Sequence, residues 1–167
     1  MCSNAQQQNT INKMINDSMH SFLNWYFSFD DIINYGEDRP ILYVCTDYLP
    51  YGFAFSEFFS QKSVRFMSSY DIVKLKELKK ERGCDNLLTT IELKQNYLTI
   101  KISHWNLKRR KKQLYMGFSC VGIYTYEYSC DDQEWKLIDT KYRGILLFHQ
   151  GQPRIHKPKG RFLVTTC

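Results

Sequence analysis

Tyr97-Leu98-Thr99-Ile100-Lys101-Ile102-Ser103 alternates between side chains that suit a core and side chains that suit water. Successive residues of a strand face opposite ways, so this period of two sets Leu98, Ile100 and Ile102 on one buried face. Working backward, Leu87–Leu93 keeps the same period, and Lys94-Gln95-Asn96 between the two runs fits a tight hairpin. Working forward, Gln113–Tyr128 is a third alternating run, long enough to bend, with Gly117 and Gly122 as the places for it. Cys130-Asp131-Asp132-Gln133 then turns the chain into a fourth run, Glu134–Tyr142. Four strands joined in sequence order predict an antiparallel meander.

Upstream the period changes. Thr10 can cap a helix, and Ile11, Met14, Ile15, Met19, Phe22, Leu23 and Tyr26 recur at helical spacing, which predicts a helix over Ile11–Tyr26. Asp30-Asp31-Ile32-Ile33 reads as a short helical turn closed by Gly36 and Pro40. Ile41–Cys45 and Val64–Met67 read as short strands. Ser69 can cap a second helix, with Ile72, Val73, Leu75 and Leu78 as its apolar stripe, a solvated lysine face, and Gly83 as its stop. Helices first and strands afterwards indicate an α+β fold, with N-terminal helices packed on one face of a curved antiparallel β-meander. The 167 residues suit one domain. Residues 1–9 read as a disordered polar leader or tether and 10–143 as a single α+β domain. Residues 144–167 read as an edge strand built on Ile145-Leu146-Leu147-Phe148, or as a loose basic tail.

The formal charge of +6 is concentrated in one place. Lys108-Arg109-Arg110-Lys111-Lys112 supplies five positive charges, and without it the chain is close to neutral. The run follows His104-Trp105-Asn106-Leu107 and falls between two predicted strands, so it belongs at the loop end of a long hairpin. The plain reading is a solvated loop whose charges keep strand edges from aggregating; read as a contact, Trp105, Lys108, Arg109, Arg110, Lys111 and Lys112 are the candidate partner-binding residues. The partner they imply is a protein that is acidic at the contact. Nucleic acid is the weaker reading: cations would meet phosphates and Trp105 could stack on a base, but the loop has few other aromatics. Tyr48, Tyr51, Phe53, Phe55, Phe58 and Phe59 form an aromatic cluster that suits closure of the core beneath a loop, with an anchor patch for a partner as the alternative.

No residues are assigned to catalysis, metal or cofactor. The six cysteines form no CxxC pair and match no zinc spacing. Cys45 and Cys120 sit in apolar runs as small hydrophobes, while Cys84 and Cys130 fall near turns where a bridge could form. No serine sits in a nucleophile elbow, and no glycine-rich loop could hold phosphate. His20 lies on the first helix, and His149 and His156 lie in the tail. Asp47 suits a turn, and Asp30 with Asp31 suits a helix start. No apolar run approaches the roughly 18 residues a membrane span needs. Ser3 and Ala5 fit the small-residue pattern before a signal-peptidase site, so export to the periplasm is expected, with a lipid anchor at Cys2 as a variant and a cytoplasmic location as the alternative.

Ser21-Phe22-Leu23-Asn24-Trp25-Tyr26 in the first helix, with Tyr124-Thr125-Tyr126-Glu127-Tyr128 and Glu134-Trp135-Lys136-Leu137-Ile138 in the strands, resembles the nuclear transport factor 2-like (cystatin-like α+β) superfamily over roughly residues 10–143. The nearest look-alikes are small exported bacterial proteins, and the resemblance implies a non-catalytic binding module such as an immunity protein that blocks a toxin by forming a stoichiometric complex. It also implies an interior pocket between helix and sheet, lined here by Trp25, Tyr26, Tyr124 and Tyr126. That pocket carries the alternative of a small-ligand-binding or enzymatic domain. Fold alone does not decide among these.

Overall fold

A computed structural model describes residues 4–30, 41–56, 64–79 and 83–144, with the backbone alone at 4–8 and 29–30. One long helix, α1 (Asn4–Asp30), precedes the strands β1 (Leu42–Cys45) and β2 (Val64–Met67). The short helix α2 (Ser69–Ile72) and a 3-10 turn (Lys76–Lys79) follow. Then come β3 (Cys84–Lys94), β4 (Tyr97–Arg110), β5 (Gln113–Ser129) and β6 (Glu134–Gly144). The six strands form one open sheet in the order β2-β1-β3-β4-β5-β6.

The four predicted strands are present as antiparallel neighbours β3 to β6. The meander is not the whole sheet, however. β1 is parallel to both β2 and β3, so the sheet is mixed. The alternation rule finds the meander because one face of each strand is wet over much of its length. The short strands read at Ile41–Cys45 and Val64–Met67 are present as β1 and β2, but β1 shows no alternation from which to place it: all four of its residues are buried, with Leu42 and Val44 in one core and Tyr43 and Cys45 in another.

Two cores on opposite faces correct the expectation that all helices share one side. On the first face Met14, Ile15, Met19, Phe22 and Leu23 of α1 pack on Leu87, Leu98, Ile100, Ile102, Tyr124 and Tyr126. On the second, Ile72 of α2 and Leu78 of the 3-10 turn cover Tyr43, Cys45, Cys84 and Leu107. The predicted second helix is broken: α2 stops at Ile72, and Leu78 reaches the core from a separate 3-10 turn. Its cap is Ser68 rather than Ser69, with the Ser68 side chain accepting from the Asp71 N–H, and the Asp47 carboxylate receives the Ser69 N–H at 3.1 Å. Gly83 does end this segment. Its φ is +73°, and a Cβ there would lie 2.3 Å from the Leu107 carbonyl oxygen, so only glycine fits.

α1 is longer than its apolar stripe predicts. It is helical from Asn4, so the stretch read as a disordered tether is helical from that residue on, and Thr10 lies inside the helix rather than capping it. No acid lies in its first turn and no base in its last, so packing on the sheet must hold it. The docking is close. At Gly122 of β5 a Cβ would meet Phe22 Cδ2 at 2.7 Å, so Gly122 gives the helix room rather than bending the strand. The bulge in β5 falls at Ser119 instead, two residues from the predicted Gly117. Among the described residues no helix is long and apolar enough to cross a membrane. Asp31–Pro40, Phe58, Phe59, Cys2, Cys167, His149, His156 and the tail with Ile145–Phe148 lie outside the described residues.

Candidate functional site

The basic run lies where the longest hairpin turns. β4 does not end at Ser103 as predicted but continues through His104-Trp105-Asn106-Leu107 to Arg110, leaving a two-residue turn of Lys111 and Lys112. Lys111 takes a φ of +56° there. The predicted cationic loop is thus a turn at the tip of a paired ribbon, which holds its charges more rigidly than a loop would.

A bulge decides which side chains the ribbon presents. His104 opposes Cys120, but the next residue, Trp105, opposes Phe118, so Ser119 is an extra residue on β5. One inserted residue exchanges the faces of everything beyond it. Leu114, Met116 and Phe118 therefore stand beside Arg109, Leu107 and Trp105 on the α2 side, while Tyr115 and Gln113 share the opposite side with Lys108 and Arg110. The result is an open apolar row: Leu114 is 37%, Met116 58% and Phe118 52% exposed. Tyr115 is exposed on the other side, where its hydroxyl donates to Gln113 Oε1 at 2.9 Å.

The six candidate partner-binding residues divide. Arg110, Lys111 and Lys112 are exposed, and among the described residues no acid lies within ion-pair distance of them. Arg109 is turned back, its guanidinium donating to the Val73 carbonyl oxygen at the end of α2. Lys108 is half-buried. Trp105 is a foundation rather than a projecting ring: it is half-buried beside the second core, its Nε1 donates to Ser103 Oγ at 3.1 Å, and it meets Phe118 edge-on at 5.3 Å between centroids.

The four residues assigned to an interior pocket meet in the first core. Tyr124 and Tyr126 are buried. The Tyr126 hydroxyl pairs with Ser18 Oγ at 2.9 Å and donates to the Met14 carbonyl, and Tyr124 donates to the Tyr142 hydroxyl at 3.3 Å. Trp25 stacks on Tyr142 at 4.4 Å. Burial pushes the Tyr124 and Tyr126 hydroxyls up from their ordinary range, so they act as neutral hydrogen-bonding groups.

The fourth, Tyr26, belongs to a polar group that the sequence reading missed. His104, placed there in the basic loop, is 4% exposed on the α1 face. Its Nε2 lies 3.3 Å from Asp85 Oδ1 and 3.2 Å from the Tyr26 hydroxyl, and Asn106 donates to the same Asp85 oxygen at 3.0 Å. His104 Nδ1 is buried and has no hydrogen-bond partner among the described residues. Counting outward from the Gln95–Asn96 turn would have set Asp85 and His104 diagonally on one face, so the signal lay in the hairpin register. Facing His104 on β5 is Cys120, whose thiol burial pushes up to about 11, keeping it protonated. The cluster has the composition of an acid–base couple, and its atoms join β3, β4 and α1.

Cys84 and Cys130 do not meet. Cys84 opposes Leu107 near the ribbon, whereas Cys130 follows the far end of β5, roughly 40 Å along the strands at about 3.3 Å per residue, and both are free thiols. Asp47, read as a turn residue, caps α2. Among the described residues no group of three or more His, Cys, Asp or Glu side chains could hold a metal ion. No protein-family model matches the chain, and neither a curated protein nor a solved structure matches it. The family resemblance therefore rests on the residues quoted for it.

Proposed function

We propose that this protein is a non-catalytic binding module that holds another protein through the β4–β5 ribbon. The observation that carries this reading is the pairing, on one hairpin, of an open apolar row (Leu114, Met116, Phe118) with an exposed cationic tip (Arg110, Lys111, Lys112) that no acid among the described residues neutralises. Aromatic, methionine and arginine side chains that are solvent-exposed in the free protein are the types that dominate protein interfaces once covered. Cations at the rim add attraction over distance and choose an acidic partner. The partner is accordingly an acidic protein. A toxin neutralised by an immunity protein is the form the resemblance implies, with export as its setting. Nucleic acid is the poorer fit, because Trp105 is held by Ser103 and Phe118 and is not free to stack on a base.

The test compares the full chain with two variants, Arg110→Glu/Lys111→Glu and Phe118→Ser. A captured partner should form a 1:1 complex with the wild type. Its association should slow as salt rises, and it should slow further with the charge-reversed variant. Phe118→Ser should speed dissociation instead. Equal capture by all three proteins would remove the ribbon from the reading.

A further inference from the structure

Resting on that reading, we infer that the partner docks by adding an extended, acidic strand to the edge of β5 along Gln113–Ser119 that no described strand pairs. β6 pairs with β5 from Ser129 to Cys120, and its last residue, Gly144, lies opposite Cys120. Gly144 has a φ of +152°, and a Cβ there would come within 2.4 Å of the Ser119 carbonyl oxygen. Gly144, the last described residue of β6, thus meets the bulge at a position where only glycine fits. Beyond it, among the described residues, β5 is paired on its β4 side alone. Among the described residues, that is roughly 20 Å of edge whose outward N–H and C=O groups have no ladder.

Edges of this kind are ordinarily blunted by charge or proline. β6 follows the rule, carrying Lys136, Lys141 and Arg143 along its length. The edge of β5 at the ribbon does the opposite, presenting Leu114, Met116 and Phe118 on one side and Tyr115 on the other. A strand laid beside it would gain main-chain hydrogen bonds and an apolar contact at every second residue, which is the usual economy of strand addition. Charge selects the occupant. The edge ends at Arg110, Lys111 and Lys112, so the added strand must be acidic where it passes the tip. A second copy of this chain fits poorly, because an antiparallel β5–β5 pair would bring each cationic tip toward Arg143 of the other copy rather than toward acids.

The experiment is amide hydrogen exchange on the full chain, with and without a short peptide of alternating glutamate and valine. The expected result is slowed exchange at alternate amides within residues 113–119. Met116→Ser, at an exposed position, should weaken the peptide about tenfold with unchanged circular dichroism. Peptide binding without protection at 113–119 would overturn strand addition and leave the ribbon reading standing. Binding untouched by Arg110→Glu/Lys111→Glu would overturn the ribbon reading itself. No peptide binding at low salt, protection already complete in the free chain, or stronger protection by an oligothymidylate would each overturn the inference. The last two would assign the edge to this chain's own segment or a second copy, and to nucleic acid.

Discussion

His104 on β4 reaches diagonally across the sheet to Asp85 on β3, with Nε2 3.3 Å from Oδ1, beneath the Tyr26 hydroxyl of α1. Three elements are thereby tied at the point where the ribbon leaves the helix-covered part of the sheet. The tie matters because β4 and β5 both run through the two parts, and His104 fixes β4 at the junction. A rigid base lets the ribbon tip keep its orientation.

Asp85 makes that tie sensitive to acid. Burial pulls its carboxyl up, but the hydrogen bonds from His104 and Asn106, with the His104 charge, outweigh burial and hold it below the usual carboxylate range. A folded-state value below the unfolded one contributes stability above the unfolded value, and that contribution is lost as pH falls through the folded one. Asp85→Asn should therefore cost about 1–3 kcal/mol at neutral pH. Urea midpoints of the two proteins should converge as pH is lowered through the acid range. A gap that stays constant with pH would contradict this account.

Gly122 and Gly117 lie on the same strand but in different surroundings. Alanine at Gly122 would drive a methyl group into Phe22, which is fully buried and has nowhere to move, so Gly122→Ala should destabilise by about 1–3 kcal/mol. A Cβ at Gly117 meets only the Asn106 carbonyl oxygen at 3.8 Å, and Gly117→Ala should be neutral or slightly stabilising because it restricts the unfolded chain. Thermal melts of the two variants should separate clearly.

The Ser18–Tyr126 hydrogen bond is buried on both sides. Tyr126→Phe leaves the Ser18 hydroxyl short of its partner and should cost about 1–2 kcal/mol. Removing both groups, Ser18→Ala with Tyr126→Phe, should cost less than the two single losses added together, since no polar group is then stranded. Strict additivity in denaturant titrations would show that the pair is not coupled.

Thiol chemistry should sort the cysteines by burial. Cys130 is exposed and should be alkylated in the folded protein. Cys45, Cys84 and Cys120 are buried, and burial pushes the Cys84 thiol up to about 12, so these three should react only after unfolding. Peptide mapping after brief alkylation reads the difference. Early labelling of Cys84 would mean that the α2 side of the sheet opens readily.

The sequence by itself determined the meander, the apolar stripe of α1 and the place of the cationic run, because each follows from a local period or from counting along the chain. Strand alternation and helical spacing are written in neighbouring residues. Only tertiary structure decided that β1 and β2 join in parallel, since a strand buried on both faces has no alternation to betray it. Nor could sequence reveal the bulge at Ser119, which is neither glycine nor proline and arises where two strands of unequal count are forced to pair. That one extra residue turns Leu114, Met116 and Phe118 toward the α2 face and leaves His104 facing α1. The candidate surface and the buried Asp85–His104 tie both depend on contacts between residues distant along the chain.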